Sequence, residues 1–177
     1  AAASMPIHEA IYDRRFPESR DFASESQRLG VPVRAIEHDI TQLWLRDLLP
    51  RWRKQRVAVT GLTSECSFQC LQWLAWDLGV RTLYHGEHLF QSNRTLRHTF
   101  NAAPAQLNRT GALEADPAAW GRQVAWLLAA GPAAETSSSA TRQIVTLEDR
   151  PTASRELEEV LISWVLAPVA RKTGPYG

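Results

Sequence analysis

The sequence predicts a three-layer α/β domain: a mainly parallel sheet of about five strands, Rossmann-like or flavodoxin-like, with antiparallel strands added at its C-terminal end. Three observations lead there. Over the first hundred residues, short β-branched apolar runs alternate with stretches of helical period, the pattern of βαβ units. Gly30, Pro50 and Gly79 punctuate those stretches where helices stop. The chain of 177 residues, 44% hydrophobic and 22% charged, is the size and composition of one domain.

Ile7 to Asp13 reads as the first strand. Pro17 then suits a first helical turn, and Phe22, Ser26 and Leu29 follow at helical spacing up to Gly30. Val31 to His38 is the second strand, and Ile40 to Leu49 a helix closed by Pro50. Arg56 to Thr60 is the third strand and, as the most apolar, the expected sheet centre. Thr60-Gly61-Leu62-Thr63-Ser64 is expected to turn into a helix from Glu65 to Leu78, and Val80 to Tyr84 supplies the fourth strand. Thr95 to Phe100 alternates like an edge strand, and a further helix carries Trp120, Val124, Leu127 and Leu128. Ala133 to Ala140 is small and polar and reads as a mobile surface loop. Arg142 to Leu147 and Leu161 to Leu166 read as a loose hairpin added to the sheet.

Lys plus Arg (20) against Asp plus Glu (19) leaves a charge of +1, which removes the electrostatic case for nucleic acid or an anionic membrane surface. No apolar run is long enough to span a bilayer. Arg outnumbers Lys 18 to 2, a bias that needs no functional cause.

In a parallel sheet, the carboxyl ends of the strands share one rim, where ligands of such folds bind. That rim would gather Asp13, Arg14 and Arg15, then His38 and Asp39, then Thr60 to Ser64, then His85, Gly86, Glu87 and His88. Thr60, Gly61, Thr63 and Ser64 would offer hydroxyls and free N–H groups to an anion at a helix start, or Thr63 or Ser64 would only cap that helix. Arg14 and Arg15 would be the counter-charge. The turn is neither a Walker loop nor a dinucleotide fingerprint, so no cofactor is assigned.

Cys66 and Cys70 lie four apart on a helix, too far apart for an unstrained disulfide, so two thiols are expected; Cys66, in the first turn, is a candidate nucleophile. His85 or His88 would serve as general base with Asp13 orienting it, or would simply make surface hydrogen bonds. Their spacing with Glu87 and His98 is not that of a zinc-protease helix, and no metal is assigned. Arg51 to Arg56 surrounds Trp52 with cations but lies opposite the rim, as a solvated connection would. Two glycosylation sequons, at Asn93 and Asn108, match a pattern that recurs by chance.

On the third helix, Phe68, Leu71, Leu74, Ala75 and Leu78 form one stripe, and Trp73, Trp76 and Cys66 fall outside it. The helix containing Trp44 is apolar over more than half its circumference. Such second faces are covered within the chain, or form a homo-oligomeric or partner interface.

Ala10 to Phe16, Glu37 to Trp44, and Gly61-Leu62-Thr63 with Tyr84 to His88 resemble a family of uncharacterised bacterial proteins exported by the twin-arginine route, over roughly residues 7 to 100. The resemblance implies a periplasmic location, with Ala1-Ala2-Ala3 left by removal of a leader, and implies no catalytic residue. Three readings follow: a module binding a small anionic or polar molecule on the rim, a hydrolase- or isomerase-type enzyme using a rim histidine, or an assembly partner using its Trp-bearing helix faces.

Overall fold

The computed structural model describes residues 5–91, 95–132, 139–147 and 160–169. The N-terminal alanines, residues 133–138 of the expected loop, and Asn93 of the first sequon lie outside them. Strand β1 (Ile7–Asp13) leads into helix α1 (Pro17–Arg28) and then β2 (Val33–Ile36). A helical stretch follows: α2 (Thr41–Leu43), a π-helical turn (Trp44–Leu48) and α3 (Leu49–Trp52). Next come β3 (Ala58–Ser64), α4 (Glu65–Trp76), β4 (Val80–Phe90) and β5 (Thr95–Ala102). The short helices α5 (Pro104–Leu107) and α6 (Ala112–Ala115) precede α7 (Trp120–Ala129), β6 (Ala140–Leu147) and β7 (Leu161–Pro168).

The class is α/β, but the sheet is mixed, with seven strands in the order β2-β1-β3-β7-β4-β5-β6. Only β1 with β2 and β1 with β3 pair in parallel; β3–β7, β7–β4, β4–β5 and β5–β6 are antiparallel. This corrects the expectation of a mainly parallel, Rossmann-like sheet. The cause is β7, which is no appended hairpin. All eight of its residues are buried, and a strand apolar on both faces is stable only inside a sheet. It therefore takes the central place expected of β3. Strand β5, read as an edge, pairs on both sides, and β6 forms the edge instead.

Helices α1 and α7 cover one face over Phe22, Leu62, Tyr84, Phe100, Trp120 and Leu128. Helices α2 to α4 cover the other over Ile11, Leu48, Val59, Leu71 and Trp164. Pro50 does not end its helix, because Leu49 N–H bonds back to the Trp44 carbonyl across the wider π turn. A proline ring crowds the carbonyl four residues before it, and the widened turn accommodates it. Trp44 is buried against Trp52, with ring centroids 6.3 Å apart, so most of the apolar face expected there is covered within the chain, while Leu45 stays exposed. On α4, Trp73 (79% exposed) and Trp76 (57%) stand in solvent as their spacing predicts, but Leu74, placed in the packed stripe, is also exposed. No helix among the described residues is long and apolar enough to cross a membrane.

Candidate functional site

Because β7 is antiparallel to both β3 and β4, strands β1 to β4 still point one way. Their side chains do not converge on a pocket. Asp13 is fully buried; its carboxylate accepts from Arg15 Nε (2.9 Å), Nη2 (2.7 Å) and the Arg15 backbone N–H (3.1 Å). Its own N–H donates to Ser19 Oγ, which donates to the Leu62 carbonyl. Asp13 and Arg15 thus close a corner of the fold.

The expected anion-binding turn does not exist: β3 runs through Ser64 directly into α4. Its polar groups seat Trp164. Thr60 donates to the Trp164 carbonyl at 2.9 Å, and Thr63 Oγ accepts from Trp164 Nε1 at 3.0 Å. At Gly61, a Cβ would come within 2.4 Å of the indole and 2.8 Å of the Ile11 carbonyl, so the glycine makes room for a ring and not for a ligand. Ser64 caps α4, accepting from Ser67 N–H.

His85 and His88 face opposite layers. His85 is half-buried against Phe68, with ring centroids 5.3 Å apart; burial pushes its imidazole down, against the pull of Glu87 and Glu65. Among the described residues, no hydrogen bond links any two of His85, His88, Asp13 and Cys66. Cys66 and Cys70 are exposed free thiols, and burial together with Cys66 pushes the Cys70 thiol up. The catalytic set expected from the sequence is therefore not assembled.

His88 belongs instead to a closed core network. Its Nδ1 lies 2.7 Å from His98 Nδ1 and its Nε2 2.8 Å from Ser163 Oγ, which is 3.1 Å from the Tyr84 hydroxyl. Trp120 lies against His88, with centroids 4.4 Å apart, and Gly86 leaves space for Ser163, whose Oγ would be 2.4 Å from a Cβ there. One ring must donate across the Nδ1 pair: a protonated His88 Nδ1 leaves Nε2 to accept from Ser163, and the opposite tautomer reverses both bonds. Burial pushes both imidazoles down, His98 to about 4 and His88 well below its ordinary value. Ser163, His88 and His98 resemble a catalytic triad in their hydrogen bonding, but all three are fully buried.

A cleft lies elsewhere. It has a volume of about 610 Å³ between the outer edge of β2 (Arg34, Ala35, Ile36), Arg14 with Glu37 and Asp39, and the α2 side with Gln42, Leu43, Arg46 and Asp47. Two of the residues expected to bind a ligand, Arg14 and Asp39, are on its wall. Arg14 pairs with Glu37, and Asp39 caps the helix by accepting from Thr41 N–H at 2.7 Å. His38 is exposed and is not on the wall. The cleft opens at the carboxyl ends of β1 and β2.

Asp47 on its wall and the buried Glu9 beside it form a carboxyl pair that the sequence reading missed. Alternation along β1 turns Glu9 to the same layer as Ile11, and Glu9 is only 4% exposed. Arg34 bridges the pair, its Nε 2.9 Å from Glu9 Oε2 and its Nη2 2.7 Å from Asp47 Oδ2. Arg51 grips Asp47 Oδ1 with Nε (3.1 Å) and Nη2 (2.7 Å). Glu9 Oε1 is buried with no hydrogen-bond partner among the described residues. Burial, and then the hydrogen bond to Asp47, push Glu9 up to about 7 against the opposing pull of Arg34. Burial also works to raise Asp47, but the bonds from Glu9 and Arg51 and the charge of Arg34 hold it below the usual carboxylate range. The two carboxyls are thus held unequally, Asp47 between two guanidinium groups and Glu9 against Arg34. His8, Glu9 and Asp47 bring ligand atoms within 4.8 Å of one another, but Arg34 and Arg51 already supply the positive charge that a divalent ion would bring.

The signal for this site was a charged residue at an inward strand position, Glu9 between His8 and Ala10, and Asp47 among Leu43, Trp44 and Leu48. No family model matches the chain, and no match to it is found among curated proteins or solved structures.

Proposed function

We propose that this protein binds a small anionic or polar ligand in the cleft between β2 and the α2 side, at the carboxyl ends of β1 and β2. The observation that carries this reading is the arginine lining. Arg14, Arg34 and Arg46 stand on one wall system, and Arg46 makes no ion pair among the described residues. An unpaired guanidinium in a concave site favours a carboxylate or a phosphate-like group. Asp39 and Gln42 provide acceptors and donors for the rest of a polar ligand. The setting implied by the resemblance, the periplasm, belongs to the same proposal.

A thermal-shift screen of sulfate, phosphate, small carboxylates and amino acids tests it, since a ligand selective for the folded state raises its stability by mass action. At least one oxyanion is expected to raise Tm in the native protein and less in Arg46→Gln. No shift with any class, or equal shifts in the variant, would reject the cleft. A second reading, chemistry at the cleft, is favoured by Glu9, whose value near 7 suits proton transfer; it requires turnover that Glu9→Gln abolishes.

A further inference from the structure

The cleft reading extends to a specific coupling. We propose that the cleft selects small oxyanions and binds them with uptake of one proton: the oxyanion draws the Arg34 guanidinium from Glu9, and Glu9 takes a proton from solvent in its place.

The geometry points to this exchange because Arg34 alone faces both sides. Its side chain is 47% exposed and lines the cleft, while Nε and Nη2 reach back to Glu9 and Asp47. Its remaining nitrogen, Nη1, has no hydrogen bond among the described residues. The two carboxyls are not equal competitors for it. Asp47 keeps a second clamp, Arg51, at 2.7 and 3.1 Å. Among the described residues, Glu9 has no other ion-pair partner, and its Oε1 has no hydrogen-bond partner. When Arg34 turns toward a ligand, Glu9 therefore loses its only counter-charge while still beside the Asp47 carboxylate, and its neutral form is favoured. The groups facing Glu9 are His8 on β1, Arg34 on β2, Asp47 on the π turn and Arg51 on α3. Burial and Arg51 hold His8 down, so it stays neutral near pH 7 and leaves the proton to Glu9.

Linkage makes the consequence measurable: a site that takes up a proton on binding weakens as pH rises above the free group's value. Sulfate is the probe, because it does not titrate near neutrality. Its affinity is expected to fall roughly fivefold between about pH 7 and 8. In a pH-stat near pH 7.5, adding sulfate to unbuffered protein should consume acid, up to about three-quarters of an equivalent per chain. Glu9→Gln should abolish both the uptake and the pH dependence, whereas His8→Asn should keep them. Sulfate that binds equally at both pH values with no uptake, or uptake lost in His8→Asn and kept in Glu9→Gln, overturns the coupling but leaves the cleft. Sulfate that fails to bind, or that binds unweakened in Arg34→Gln and Arg46→Gln, overturns the cleft itself.

Discussion

Acid should destabilise this protein with a slope set by three buried groups. His98 titrates at about 4 in the folded chain and at 6.5 when unfolded, and burial holds His88 well below its ordinary value. Glu9 titrates at about 7 folded and 4.5 unfolded. Between about pH 5 and 6, the unfolded chain therefore carries two histidine protons that the folded chain lacks, and the folded chain carries a Glu9 proton that the unfolded chain has largely lost. A depressed histidine removes stability as pH falls; a raised carboxyl removes it as pH rises. The balance is about one more proton on the unfolded chain, so stability should fall by about 1.4 kcal/mol from pH 6 to 5. His8 and His85 are lowered too, which makes this a minimum. Urea unfolding followed by circular dichroism at several pH values in this window measures the slope. Glu9→Gln cancels the opposing contribution, and its slope should be about twice as steep. A flat profile in the native protein would refute a neutral buried histidine pair. Equal slopes in the two proteins would refute the Glu9 proton.

Further outcomes follow from packing and exposure. Gly61→Ala forces a Cβ into the Trp164 ring at 2.4 Å, and overpacking of this kind should lower the unfolding free energy by about 1–3 kcal/mol; an unchanged urea midpoint would contradict that close approach. Ser163→Ala strips partners from His88 Nε2 and the Tyr84 hydroxyl, with an expected loss of about 1–3 kcal/mol in the same assay. Both thiols of the native protein should react with a disulfide reagent without denaturant, Cys70 the more slowly because burial and Cys66 push its thiol up; a single reactive thiol would contradict this arrangement.

How well the sequence foretold each element depended on whether the element reports on itself. Strand β1 was placed at Ile7–Asp13 with correct bounds, and α1 and α4 were placed almost as closely, because their signals are local: alternation, a proline in a first turn, a serine cap. Pro50 misled, since a proline breaks a regular helix but a π turn can absorb it. The run Thr60 to Ser64 misled for another reason. Gly, Thr and Ser in sequence suit a ligand turn and equally suit the seat of an indole that arrives from Trp164, about a hundred residues later. Among the expected site residues, Arg14 and Asp39 reached a cleft, while Asp13, Thr60, Thr63 and His88 were consumed by the core.

Composition and periodicity were enough for the α/β class, the free thiols of α4 and the solvent-facing Trp73 and Trp76, all of which depend on neighbours within one or two helical turns. The insertion of β7 between β3 and β4, and the meeting of Glu9 and Asp47 through Arg34, depended on pairings between distant segments. Hydrogen-bond register and the burial of charge are properties of the assembled sheet. Asp47 and Arg51 lie one helical turn apart, but no window along the chain also contains Glu9 and Arg34, so the carboxyl pair came into view only when the strands were laid side by side.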